Sequence, residues 1–328
     1  MRSFLLLLIG LNIMIEKENN QKNNEPNVKK RNPWLFAAAI ALFLVLAFFA
    51  YKNGFFDDLI NEPDYGIGDG NLYMYTIDVG QGDCILLVSP NGKTMLVDVG
   101  ESSSYTAVSD FLHDRGIEGL VDIAVGSHPH SDHVGAMGKL LNEFGADLLL
   151  LPEVDNRTNN ALISIADGLN IDWEYVWNNS EIDWDRDCTV TVLAPVCGAS
   201  YSESDMNEWS IILRVEYGEN AIILTGDAEV HSEQLAMFAN DSELFEADVL
   251  KIGHHGSSSS TGDSFLEAVS PEYAIMSLGK DNRYGHPHWE TIEKLDNANI
   301  TYFRTDECGT IVAVLTGSTC TVHPFGGD

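Results

Sequence analysis

The chain has 328 residues, 45% hydrophobic and 21% charged, and its 18 basic and 50 acidic residues give a formal net charge of −32. Such a composition fits a globular protein with room for a short leading segment and one large domain. The acidity keeps the surface soluble and argues against a broad nucleic-acid groove, because polyanions are repelled at long range and only a local basic site could receive one.

The charge is uneven. Arg2, Lys17, Lys22, Lys29, Lys30 and Arg31 precede Pro33 against only Glu16, Glu18 and Glu25, so the rest of the chain is more acidic than the whole. The apolar run 4–15, broken by Gly10 and Asn12, is short for a membrane span. It reads as a targeting segment, or as an upstream extension with Met14 as the ordinary start. Residues 16–32 are polar and Asn-rich, a disordered composition. Residues 1–33 are thus expected to form a cytoplasmic tail.

Residues 34–51 hold no charge and no proline, bracketed by Trp34 and Tyr51. Their length is near the ~20 residues that cross a bilayer as a helix. Basic residues before the run and Asp57, Asp58, Glu62 and Asp64 after it predict a single-pass transmembrane helix with the C-terminal domain extracytoplasmic. A cleavable signal peptide is the rival reading, although Phe48 fits a cleavage site poorly. Residues 52–70, with Pro63, Gly66, Gly68 and Gly70, read as a linker, and residues 71–328 as the main domain.

Within that domain the apolar runs 72–77, 84–88 and 94–97 predict strands, the last two joined at the hairpin signal Asn91-Gly92. A helix over about 105–115 leads to a buried strand at 121–125. Residues 145–205 promise short strands and a helix near 160–169, and the Trp- and Asp-rich run 172–187 reads as a loop or edge insertion near a site mouth. Strands follow at 209–216, 221–224, 248–252, 273–278, 300–303, 310–315 and 319–322, with helices near 232–239, 263–269 and 289–298. Strand-rich halves with helices between them predict a layered α/β protein. No Cys-x-x-Cys pair exists among Cys84, Cys188, Cys197, Cys308 and Cys320, which argues against a thiolate zinc site. In an oxidising compartment, Cys188 with Cys197 and Cys308 with Cys320 are candidate pairs.

Chemistry concentrates at Ser127-His128-Pro129-His130-Ser131-Asp132-His133, between the strand at 121–125 and a helix starting near 134. Imidazole nitrogens and a carboxylate within six residues are a divalent-ion ligand set. A two-ion site needs a bridging carboxylate, and Asp227 is the candidate because it ends an apolar strand in the turn Thr225-Gly226-Asp227. His254 and His255 also end an apolar strand; one of them binds metal while the other faces the substrate, and the sequence does not say which. Asp132, Asp227 and His286 are the candidate catalytic residues. Ser257, Ser258, Asn282 and Arg283 are candidate phosphate contacts.

The motif His128-x-His130-x-Asp132-His133 resembles that of the metallo-β-lactamase superfamily. Asp78-Val79-Gly80-Gln81-Gly82-Asp83, Leu96-Val97-Asp98, Asn207 with Ser210, Leu224-Thr225-Gly226-Asp227, Lys251 to Ser257 and Tyr284-Gly285-His286-Pro287 make the region 71–325 similar to the C-terminal domain of the ComEC competence proteins. The resemblance implies an αββα sandwich and a hydrolase with two divalent ions, zinc or manganese. It implies His128 and His130 on the first ion; Asp132, His133 and one of His254 and His255 on the second; and Asp227 between them. Asn207 stands where many superfamily members have a histidine, so by that pattern the first site is incomplete, its ion weakly held or completed by water or by Asn207. The implied roles of His286 are proton donor or anion-binding group. The function expected is that of a membrane-anchored, extracytoplasmic metal-dependent hydrolase acting on phosphodiesters, nuclease-like. The alternatives are a choline-phosphate esterase-like enzyme, a lactone or lactam hydrolase, and a non-catalytic binding protein that keeps the fold.

Overall fold

A computed structural model describes residues 67–202 and 204–326, all within the compact unit Tyr65–Asp328. In chain order its first half holds β1 (Leu72–Thr76), β2 (Ile85–Val88), β3 (Thr94–Val97), α1 (Tyr105–Asp114), β4 (Val121–Val125), α2 (Ser131–Val134), α3 (Met137–Glu143), β5 (Ala146–Pro152), α4 (Arg157–Leu169) and β6 (Asp172–Val176). The second half holds β7 (Glu181–Ile182), β8 (Cys188–Ala194), β9 (Ile212–Tyr217), β10 (Asn220–Leu224), α5 (Val230–Ala239), β11 (Val249–Lys251), α6 (Asp263–Val269), β12 (Tyr273–Met276), α7 (Trp289–Asn297), β13 (Thr301–Arg304), α8 (Thr305–Cys308), β14 (Ile311–Leu315) and β15 (Cys320–Pro324).

The strands form two sheets, one ordered β15-β14-β1-β2-β3-β4-β5-β6 and the other β13-β12-β11-β10-β9-β8-β7. Strand alternation explains why they stack. In β1, Leu72 and Met74 join the inter-sheet core with Leu213, Val215, Ile222 and Leu224, while Tyr73 and Tyr75 face the outer layer. That outer layer packs Leu112, Leu140 and Leu162 of α1, α3 and α4 against the first sheet. On the far side Ala236, Phe265 and Leu295 of α5, α6 and α7 cover the second. Every strand of β1, β2, β3 and β10 is buried along its whole length, as strands covered on both faces must be. The result is the expected αββα sandwich.

The pairing also decides where chemistry can happen. β3, β4, β5 and β6 run parallel, as do β10, β11, β12 and β13. Parallel strands deliver their C-terminal ends to one edge, where loops rather than core side chains meet a ligand. The loops after β3, β4, β10, β11 and β12 carry Asp98, residues 126–133, Asp227, residues 252–256 and Ser277.

Several expectations are corrected here. The fold class has no transmembrane helix as an element: among the described residues no helix is long and apolar enough to cross a membrane. The longest described helix, α4, has 13 residues, about 20 Å at 1.5 Å per residue against a hydrocarbon layer of about 30 Å. Residues 34–51 lie outside the described residues, as do the tail 1–33 and most of the linker. Anchoring in a membrane, the membrane as partner and the single-pass extracytoplasmic placement are therefore not carried forward. Residues 172–187 do lie at sheet edges, as the edge reading has it, but they hold the strands β6 and β7 and do not line the cleft described below. All five cysteines are free, so neither candidate disulfide is formed.

Candidate metal centre

Two glycines let the loops converge. At Gly82 (φ +132°) a Cβ would lie 2.1 Å from the Asp132 carbonyl oxygen. With no side chain there, the 78–83 turn packs on the 128–133 loop, and Asp83 N donates to Asp132 O. At Gly226 (φ +51°) a Cβ would press on Ser127 at 3.0 Å. Asp227 thereby sits beside the histidine loop, its backbone N–H donating to Ser210 Oγ.

Asp227 is the hub. Its Oδ2 lies 3.7 Å from His128 Nε2 and 3.7 Å from His254 Nε2. Its Oδ1 lies 3.1 Å from His133 Nε2 and 3.6 Å from His255 Nε2. Asp132 Oδ2 faces His255 Nε2 at 3.4 Å. His130 Nδ1 and His128 Nε2 approach to 3.1 Å, and the Nε2 atoms of His133 and His255 to 3.3 Å. Imidazole nitrogens turned toward one another around a buried carboxylate suit a shared cation better than mutual hydrogen bonds, and Asp227 Oδ1 is buried with no hydrogen-bond partner. The chemistry of this donor set therefore fits divalent ions.

Two groups of side chains have ligand atoms within 4.8 Å of one another: Asp83, His133, Asp227 and His255, and His128, His130 and Asp227. They share only Asp227, the arrangement of a two-metal centre. Asp83, however, stands behind His255. Its Oδ1 is 3.4 Å from His255 Nδ1, which also donates to Ser277 O at 2.9 Å, and its Oδ2 is 2.8 Å from the Lys251 ammonium. Asp132, on the Nε2 side of the ring, has the better position for an ion. Asp98 plays the same part behind His133, accepting from its Nδ1 at 2.7 Å and from Ser127 Oγ at 2.6 Å. Backing carboxylates fix which ring nitrogen faces the metal.

The electrostatics differ around the ring of histidines. Burial, with His133 and His130 nearby, holds His128 well below the usual imidazole range. Burial opposes charge on His255 too, but Asp227, Asp132 and Asp83 outweigh it and raise the ring to about 9. His133 is likewise raised well above its ordinary value, Asp227 and Asp98 overcoming burial. Asp132, despite burial, is lowered to about 2 by His255 and His133. Asp227 is held well below the carboxylate range by His133, His255 and His128, again against burial.

The centre opens into a cleft of about 300 Å³ whose lining includes Gln81, His130, Asp132, His254, Tyr284 and His286. His286 is lowered to about 4 by burial and by the His254, His255 and His288 rings, and its Nδ1 makes no hydrogen bond. The four residues expected at the substrate lie outside this lining. Ser257 Oγ pairs with Ser259 Oγ at 2.9 Å, and Ser258 Oγ with His288 Nδ1 at 3.0 Å. Asn282 ties the 282–286 turn, donating to His286 O and accepting from His286 N. Arg283 stacks on Tyr284 at 4.9 Å. Sequence reasoning gave no site role to Asp83, Asp98, Lys251, Glu229, Gln81 or Tyr284. Lysine in the apolar strand β11 was the available signal for one of them.

Comparison with known proteins gives three findings. The model of the metallo-beta-lactamase superfamily matches residues 77–170. ComE operon protein 3 of Bacillus subtilis is 33% identical over 254 residues, 72% of this chain and 32% of that protein. Recombination protein 2 of Haemophilus influenzae is 32% identical over 225 residues, 67% of this chain and 26% of the relative. The chain thus spans about a third or less of these relatives' length. Among solved structures, zinc-bound PqqB from Methylobacterium extorquens aligns at TM-score 0.43 and 10% identity, over 70% of this chain and 98% of that one.

Proposed function

Because the described residues have the metallo-β-lactamase superfamily fold and the chain's homologues include a protein named competence protein ComA, we propose that the cleft is a two-ion hydrolytic centre bridged by Asp227. The protein is a metal-dependent hydrolase. One observation carries the two-ion reading: the oxygens of Asp227 face different histidines, Oδ2 toward His128 and Oδ1 toward His133 and His255. His128, His130 and Asp227 Oδ2 would hold the first ion, and Asp132, His133, His255 and Asp227 Oδ1 the second. Zinc and manganese both accept this nitrogen and oxygen set.

When bound, the ions supply Lewis acidity and a water that ionises near neutral pH. The chain's own residues supply orientation. Asp98 holds the Nδ1 side of His133, and Ser277 O with Asp83 nearby holds that of His255, so both Nε2 atoms face the bridge. His286 enters the cleft as a neutral ring. A neutral imidazole can donate at one nitrogen and accept at the other, which suits a departing oxygen. The reaction assigned is hydrolysis at an electrophilic phosphorus or carbonyl centre.

The test is turnover of bis-p-nitrophenyl phosphate, a lactone and a lactam by the zinc- and manganese-loaded chain, with Asp227→Asn alongside. Metal-dependent turnover of at least one substrate, lost on chelation and in Asp227→Asn, is the expected outcome. The variant should lose more than the roughly 10–100-fold that a change behind a ligand costs. A fully loaded protein that turns over none of them removes the reading.

A further inference from the structure

The first ion is short of a ligand in the sequence pattern, because position 207 is asparagine. His128 Nε2, His130 Nδ1 and Asp227 Oδ2 are three donors, and a zinc-like ion takes at least four. In the fold a further nitrogen faces the same oxygen. His254 Nε2 stands 3.7 Å from Asp227 Oδ2, the same separation as His128 Nε2. Its neighbour His255 addresses the other oxygen, and the two rings are inclined at 67° with centroids 6.1 Å apart.

The backbone explains the divergence. His254 (φ 47°) and His255 (φ 55°) are both left-handed, followed by Gly256 at φ 85°. Left-handed residues other than glycine cost of order 1–3 kcal/mol each and persist where the surroundings over-determine them. Here His254 N donates to Gly226 O, which ties the turn to the loop of the bridging aspartate. The conformation turns the two adjacent rings to opposite sides of one carboxylate.

The far side of His254 is also built. Its Nδ1 lies 3.3 Å from Glu229 Oε1, 3.4 Å from Asn207 Nδ2 and 3.4 Å from Ser259 Oγ. Ser259 Oγ donates to Glu229 Oε1 at 2.9 Å, and Asn207 Nδ2 approaches the same oxygen at 3.5 Å. A carboxylate that accepts a hydrogen bond from Nδ1–H keeps the proton on that nitrogen and leaves the Nε2 lone pair free on the cluster side. Asn207 Nδ2 therefore stands in the layer behind a histidine, while its buried Oδ1 makes no hydrogen bond.

Resting on the two-ion reading, we infer that His254 is a ligand of the first ion, supplying from the loop after β11 the imidazole that position 207 lacks, with Glu229 as its positioning residue. His255 serves the second ion alone. The adjacent histidines thus divide between the two ions, and neither is left solely to face the substrate.

The experiment is ion content of the full-length chain against buffered free zinc, read by elemental analysis, with the d–d spectrum of the cobalt-substituted protein as a second readout. Wild type, His254→Ala, Glu229→Gln and the control His231→Ala are compared, with folding followed by circular dichroism. Wild type and control are expected to take up two ions. Glu229→Gln should weaken one of them by about 10–100-fold. His254→Ala should weaken the same ion further, with a changed cobalt spectrum, and leave the other ion as it was. If His254→Ala binds both ions with wild-type affinity and spectrum, the inference is overturned while the two-ion reading stands. If wild type binds one ion at every free zinc level, the two-ion reading falls and the inference with it. Should His254→Ala fail to fold, unchanged ion affinity in Glu229→Gln is sufficient to overturn the assignment.

Discussion

The two oxygens of Asp227 look out on differently built neighbourhoods. On the Oδ1 side His133 and His255 are fully buried, each with a carboxylate behind it, and Asp132 adds a third. On the Oδ2 side His128 is buried with its Nδ1 on the Ser127 hydroxyl, His130 and His254 reach toward the cleft, and one carboxylate, Glu229, stands behind a ring, that of His254. Charge differs accordingly: the Oδ1 histidines are raised and the Oδ2 histidine His128 lowered. Negative charge held at fixed positions favours a dication more than neutral donors do. On the proposed two-ion reading the Oδ1 side is then the tight seat and the Oδ2 side, with His130 and His254 in the cleft lining, the exchangeable one.

The largest effect expected from breaking this asymmetry comes from Lys251. Its ammonium is fully buried, 2.8 Å from Asp83 Oδ2, and donates to Ile252 O at 2.9 Å. Lys251→Met leaves the buried Asp83 carboxylate with His255 Nδ1, 3.4 Å away, as its remaining charged neighbour, so denaturant unfolding of the metal-free chain should show a cost near the lower end of about 3–5 kcal/mol. Lys251→Met with Asp83→Leu removes both charges and should recover most of that loss. A single variant as stable as wild type would mean that the pair does not hold the floor of the Oδ1 side.

A smaller and more local effect is expected at Asp98. Asp98→Asn keeps the shape but weakens the acceptor behind His133 Nδ1, so the Oδ1 ion should bind about 10–100-fold more weakly, or ~1.4–2.8 kcal/mol. The Oδ2 ion should be unaffected. Isothermal titration with zinc resolves the two steps, and equal weakening of both would show that the halves are not independent.

How much of this was legible depends on where each signal lay. The strands read well because their side chains are apolar in continuous runs, as at 95–97 and 221–224 within β3 and β10. The run 172–187 did not, because β6 alternates exposed and half-buried residues and ends in a sheet edge. The histidine loop and Asp227 stood out by composition. Asp98 and Asp83 were harder: each is a lone aspartate ending or flanking an apolar stretch, and its role depends on the ring that the fold brings to it from 35 or more residues away. The division of His254 from His255 was out of reach altogether, since it rests on two left-handed backbone conformations. Membrane anchoring was read from residues 34–51, and no described helix supports it.

The smallest effect concerns protons. In the metal-free chain Asp227, Asp132 and Asp83 keep His255 protonated up to about pH 9, against an ordinary value of 6.5. A raised folded-state pKa contributes stability that is complete below the unfolded value and lost as pH climbs through the folded one. The melting temperature of the metal-free protein should therefore fall between about pH 6.5 and pH 9, provided other groups are matched by a His255→Gln control that lacks this slope. Ions bind the neutral ring, so zinc uptake at pH 7.5 must expel the His255 proton, and that of His133 with it. His128, already neutral, has none to give. Calorimetry in two buffers of different ionisation heat then separates the seats: the tight step releases more protons than the weak step. Equal release in both steps would show that the raised histidines His133 and His255 do not share one seat, and would remove the distinction between tight and exchangeable seats.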